Sequence, residues 1–218
     1  MENMATPQSR LTIITSLLLA AMIVAAIAVD INSPARSSTI PEELRDLLVK
    51  QPVEIPSFKL MDQQKQPFTA QQFKGAWTFL FFGYTHCPDV CPVTLTALDD
   101  ASSQLGKLKT GNLKIQYVFV SVDPNRDSPE ILRDYVRYFN ANFIAVTGDD
   151  KQLERLASPL GIAFERGPGT GTEYFVNHSS AMLLIDPQAR YYARFRPPHY
   201  AEEIVDGFKH ILTYSENQ

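Results

Sequence analysis

The chain has 218 residues, 44% of them hydrophobic and 20% charged, with a net charge of −4. That composition is globular rather than disordered, and without a basic stripe interleaved with aromatics it argues against nucleic-acid binding. Two cysteines can build neither a disulfide scaffold nor the four-thiolate set of a structural zinc site.

First in chain order is an apolar run over 11–29, preceded by Arg10 and closed by Asp30. At about 1.5 Å per helical residue it matches the thickness of a hydrocarbon core. It is therefore predicted as a transmembrane anchor, with 1–10 as a cytoplasmic N-terminus. The run exceeds the apolar region of a cleaved signal peptide, although Ala26-Ile27-Ala28 would serve as a cleavage site. Arg10 favours export of the rest of the chain. Residues 30–51 read as a polar linker, with a short amphipathic helix from Pro41. The folded domain is expected over 52–213 and a tail over 214–218.

Residues 55–60 alternate like a half-buried edge strand, and 68–73 like a helical turn ending at Gly75. The stretch 76–83, almost wholly apolar and bounded by glycines, predicts a buried central strand. Residues 93–108 have helical spacing through Leu95, Leu98 and Leu105, and 115–122 read as a second strand. Ser128-Pro129-Glu130 opens a helix, with serine at the cap and proline at the first position. A strand over 143–146, a helix over 151–160 and a glycine-rich break over 167–172 follow. Strands are then expected over 174–177, 182–186 and 191–195. The last two form a hairpin turning at Asp186-Pro187-Gln188-Ala189, and a helix over 200–213 closes the chain. Strands alternating with helices and ending in a hairpin plus helix give an α/β class with a mixed sheet.

The chemistry concentrates in Thr85-His86-Cys87-Pro88-Asp89-Val90-Cys91-Pro92, directly after the central strand. On a helix, i and i+4 share one face with about 6 Å of rise between them. That suits a disulfide near its long limit, and it suits two thiolates converging on one metal ion. Spacing does not separate the two roles. A helix N-terminus would favour thiolate at the first cysteine, which both roles require. His178, between the glycine-rich break and a strand, is a candidate ligand, with a satisfied structural histidine as the alternative. His86 could ligate only with difficulty beside Cys87, while His199 and His210 read as surface residues. Asp123 ends its strand at the same sheet edge, as an acidic neighbour of the cysteines or as a turn cap before Pro124.

Taken in order, Gly83-Tyr84-Thr85-His86-Cys87-Pro88-Asp89-Val90-Cys91-Pro92, then Val120-Ser121-Val122-Asp123-Pro124 with Arg126-Asp127, then Val176-Asn177-His178-Ser179 resemble the Sco/SenC family. The resemblance extends over about 52–212, including Pro197-Pro198-His199-Tyr200. It implies a thioredoxin-like domain tethered to a membrane and facing the periplasm or intermembrane space. It also implies binding of copper, as Cu(I) or Cu(II), by Cys87, Cys91 and His178, with Asp123 close by. The implied role is assembly of the dinuclear copper centre of cytochrome c oxidase subunit II or of another cuproprotein client, with copper supplied by a donor protein. Asn177 departs from the acid that many relatives carry before the histidine, and Ala189 from a common turn glycine. With no arginine-rich presequence before the anchor, a bacterial inner membrane with the domain in the periplasm is expected.

Soft thiolates and an imidazole suit copper. The competing expectation is a thiol–disulfide oxidoreductase, with Cys87 attacking and Cys91 resolving. A weaker third is a thiol peroxidase.

Overall fold

Every residue of Trp77–Gly83 is buried. Trp77, Phe79 and Phe81 enter one core while Leu80 and Phe82 enter another, as the two-residue period of a strand requires. This run is β4 of a computed structural model that describes residues 21–22, 40–107, 113–169 and 173–217. The described strands are β1 (Leu48–Glu54), β2 (Leu60–Asp62), β3 (Pro67–Phe68), β4, β5 (Ile115–Ser121), β6 (Ile144–Thr147), β7 (Phe164–Arg166), β8 (Val176–His178), β9 (Met182–Ile185) and β10 (Arg190–Phe195). The described domain helices are α1 (Val90–Leu105), α2 (Pro129–Phe139), α3 (Asp150–Ala157) and α4 (Ala201–Glu216).

The main sheet runs β1-β10-β9-β4-β5-β6-β2-β3, and β7 pairs with β8 alone. β4 is parallel to β5 and antiparallel to β9, so the mixed sheet expected from the sequence is present. Residues of α1, α2 and α4 pack against Phe79 and Phe81. Leu153 and Leu156 of α3, with Phe58, Phe68 and Phe73, cover the opposite face. β4 and β5 end side by side at Gly83 and Ser121. The loops that carry Cys87 and Asp123 therefore leave from one edge of the sheet, where α/β folds place their chemistry.

The compact unit containing the domain runs from Ile40 to Glu216. Leu44 and the first four residues of β1, which the sequence assigns to the linker, belong to it. The strand expected over 55–60 is not formed: β1 ends at Glu54, β2 begins at Leu60, and 55–59 connect them without regular structure. At the β9–β10 turn Asp186 accepts from the Gln188 and Arg190 amides. Ala189 takes φ 62° there, the left-handed conformation that makes glycine common at such a position. The predicted anchor over 11–29 lies outside the described residues except for Ala21 and Met22. Among the described residues no helix is long and apolar enough to cross a membrane.

Candidate metal centre

Tyr84 to Asp89 form a loop between β4 and α1, so Cys87 precedes the helix and Cys91 lies in its first turn. The shared helical face expected for the pair is replaced by a tighter arrangement. The Cys91 amide donates to Cys87 Sγ at 3.4 Å, placing the first sulfur where a helix N-terminus stabilises negative charge. Cys91 is fully buried and Cys87 half-buried. Hydrogen bonding from the Cys91 thiol, then from the Cys91 amide, holds the Cys87 thiol down to about 4 against the effect of burial. The same bond to Cys87, reinforced by burial, pushes Cys91 far above its usual range. The pair thus rests as one thiolate and one thiol.

β8 delivers the third group. His178 Nε2 lies 3.6 Å from Cys91 Sγ, and the ligand atoms of Cys87, Cys91 and His178 all fall within 4.8 Å of one another. His178 Nδ1 faces its neighbour's carbonyl, Ser179 O, at 3.1 Å. Because a carbonyl only accepts, Nδ1 carries the proton and Nε2 presents its lone pair to the sulfurs, which is the tautomer a metal ligand needs. The ring is held edge-on by Phe81 at 6.3 Å and Tyr84 at 5.9 Å.

Asp123 is fully buried but outside this group. It accepts from Arg126 and from the Tyr174 hydroxyl, and Arg126 lies 5.5 Å from the Tyr84 ring. His86 turns the other way, with Nδ1 3.1 Å from Thr85 Oγ1 and 3.9 Å from Asp127. His199, expected at the surface, is buried. It donates from Nε2 to Ser180 O at 2.9 Å and packs edge-on against Phe81.

Burial pushes the His199 imidazole below its usual range, outweighing the hydrogen bond to Ser180. Its unfolded value is near 6.5. The neutral ring therefore stabilises the fold above about pH 6.5, and that stability is lost as pH falls through the lower folded value. Thermal unfolding of the copper-free protein should show Tm falling between about pH 7 and about pH 5. His199→Phe, which keeps a ring beside Phe81, should reduce that slope without removing it, because the lowered Cys87 thiol also loses its stabilisation as pH falls towards about 4.

Two supports escaped the sequence analysis. Asp127 is buried and accepts from the Thr85 amide, the Thr85 hydroxyl and the Ser121 hydroxyl, pinning the start of the cysteine loop to the end of β5. Gly83 reads in the sequence as a strand boundary and the start of the cysteine motif, with no role of its own, yet a Cβ there would lie 2.6 Å from Cys91 Sγ and 2.8 Å from the Phe119 ring. Gly83→Ala should destabilise the domain by about 1–3 kcal/mol through overpacking and displace the Cys91 sulfur. Chemical denaturation of the copper-free protein checks the first effect.

Residues 49–213 match the family model described as SCO1/SenC. The chain is 34% identical over 192 residues to a protein of Stutzerimonas stutzeri, spanning 88% of this chain and 91% of that one. It is 34% identical over 156 residues to the mitochondrial SCO2 homolog of Homo sapiens, spanning 70% of this chain and 57% of that one. Among solved structures it is similar to copper-bound Arabidopsis thaliana ScoI, at 30% identity and a TM-score of 0.67 over 73% of this chain and 99% of that one. It is also similar to copper-bound yeast Sco1, at 26% identity and a TM-score of 0.68 over 74% and 90%.

Proposed function

Since the chain belongs to the SCO1/SenC family, we propose that it is a membrane-tethered copper metallochaperone that loads cytochrome c oxidase subunit II or another cuproprotein. Cys87, Cys91 and His178 hold the copper. The observation that carries this is the convergence of two sulfurs and an unprotonated imidazole nitrogen within 4.8 Å. Copper-bound relatives of the same fold support the choice of metal. Two soft thiolates with one imidazole fit Cu(I), and the imidazole also serves Cu(II).

Each residue has a separable task. Cys87 is already a thiolate and accepts the cargo first. Cys91 gives up its proton as the ion arrives, so loading releases a proton and weakens in acid. His178 closes the site through Nε2, with Nδ1 held against Ser179 O. The apolar run over 11–29 supports an anchor in a bacterial inner membrane with the domain in the periplasm, where a copper donor and the client would meet it.

Titrating the reduced protein with Cu(I) against a chromophoric chelator should give one copper per chain, abolished when both cysteines are alkylated or joined as a disulfide. Failure of the reduced protein to compete for copper overturns the proposal.

A second reading rests on the thiolate at Cys87 beside a protonated Cys91. In a thiol–disulfide reductase, Cys87 attacks a client disulfide and expels one client thiolate. Cys91 then attacks the mixed disulfide, freeing the client dithiol and leaving Cys87 and Cys91 bonded. Reduction of a client by the copper-free protein, undiminished in His178→Ala, would favour it.

A further inference from the structure

The strand bearing His178 is not part of the eight-stranded sheet. β7 and β8 form their own ribbon, closed by the Gly167 amide on Phe175 O at 2.8 Å and the Ser179 amide on Ala163 O at 2.9 Å. Among the described strands, no ladder joins this ribbon to the strands beside the cysteines. Its other end, away from the imidazole, is tied to the loop after β5 through Asp123. The Tyr174 hydroxyl donates to Asp123 Oδ1 at 2.6 Å, and Arg126 Nε donates to Oδ2. Arg126 also donates from Nη1 to Tyr174 O at 2.9 Å, with its guanidinium 3.7 Å from the centre of the Tyr174 ring. On the partner strand, Arg166 lies 3.5 Å from Asp123, donates to Val122 O and pairs with Asp150. Asp123 is fully buried and Arg126 nearly so, which makes these charge-assisted bonds strong and hard for water to replace.

We propose that Asp123, Arg126 and Tyr174 form a latch that holds the β7–β8 ribbon down, and that its opening sets how fast His178 leaves the cysteines and copper is released. They are positioning residues, because none touches the cargo. Tyr174 precedes His178 by four residues in extended chain, so freeing it loosens the whole strand. The cysteine loop need not follow, since Asp127 rather than Asp123 pins it. With the imidazole withdrawn the donor set falls to two thiolates. An incoming client thiolate can then take the place of the histidine, a ligand exchange that moves no electrons and leaves the copper oxidation state unchanged. The copper arm of this inference rests on the function proposed above, whereas the mobility arm does not.

The test compares wild type with Tyr174→Ala and Tyr174→Phe. Amide exchange is followed at Gly167 and Ser179 in the copper-free protein, with the Val122 amide, bonded to Gly83 O, as internal reference. Copper release is followed by transfer of Cu(I) to bathocuproine disulfonate. Tyr174→Ala should speed exchange at Gly167 and Ser179 about tenfold or more, leave Val122 unchanged, and speed copper transfer by a similar factor. Tyr174→Phe keeps the ring beneath Arg126 and should fall between. Unchanged exchange at Gly167 and Ser179, or equal acceleration at Val122, overturns the latch. Faster exchange with unchanged copper transfer overturns its role in release. Faster exchange in a chain whose wild type binds no copper sustains the latch and defeats the metallochaperone instead.

Discussion

Replacing His178 with alanine should weaken Cu(I) binding by at least about a hundredfold and abolish stable Cu(II) binding, while leaving the dithiol chemistry of Cys87 and Cys91 in place. Loss of a group that merely orients a ligand already lowers metal affinity by about 10–100-fold, and in the proposed site His178 is the ligand itself. The two sulfurs remain after the substitution, and Cu(I) tolerates a soft two-donor set. Cu(II) does not, because it needs the harder nitrogen and further donors. His178→Met sharpens the argument: a thioether should restore part of the Cu(I) affinity and none of the Cu(II) affinity. Because His178 is only partly buried, the copper-free variants should lose no more than about 1 kcal/mol of stability. Chelator competition for Cu(I) and the thiolate-to-copper charge-transfer band for Cu(II) provide the measurements. Wild-type affinities in a folded His178→Ala protein would remove the histidine from the site and leave only the thiol pair to explain the cluster.

That triad was legible in the sequence in an uneven way. The cysteines stood out because a buried strand with unbroken apolar character places whatever follows it at a sheet edge, and β4 is that strand. His178 could not be derived from spacing, since it sits on a ribbon whose approach to Cys91 depends on Tyr84, Arg126 and Tyr174 rather than on local pattern. Its assignment came from the family resemblance. Asp123 stands at the right sheet edge, but its oxygens are taken up by Arg126 and Tyr174; Asp127, four residues on, holds the cysteine loop instead. β1 escaped detection because most of it is exposed and its pairing with β10 shifts register, so no alternation survives to be read. His199 looked like a surface residue after two prolines, yet its burial is decided by Phe81, more than a hundred residues earlier in the chain.

The largest stability effect is expected at Asp127. Its carboxylate has no exposed surface and accepts from the Thr85 amide at 2.9 Å, the Thr85 hydroxyl at 2.6 Å and the Ser121 hydroxyl at 2.5 Å. Alanine would strand three donors at the junction of β4 and β5, each costing about 1–3 kcal/mol where water cannot reach. The hydroxyls can rotate to other partners and the amide cannot, so a total of about 3–5 kcal/mol follows. For a domain of this size that lowers Tm by about 10 °C, at roughly 2–4 °C per kcal/mol. Asp127→Asn keeps one acceptor for the Thr85 amide, and the rotatable hydroxyls can accept from its NH₂ group, so it should lose only about 1–2 kcal/mol. The function should fall with the fold's local order. Thr85 stands two residues before Cys87, so a freed loop lets the first sulfur drift from Cys91, and copper affinity should drop in Asp127→Ala even at temperatures where the domain stays folded. A double-mutant cycle with Thr85→Val isolates the link, since the second substitution should add little once Asp127 is gone. Full additivity, or a loss below about 1 kcal/mol for Asp127→Ala, would mean that the cysteine loop holds its shape without this carboxylate.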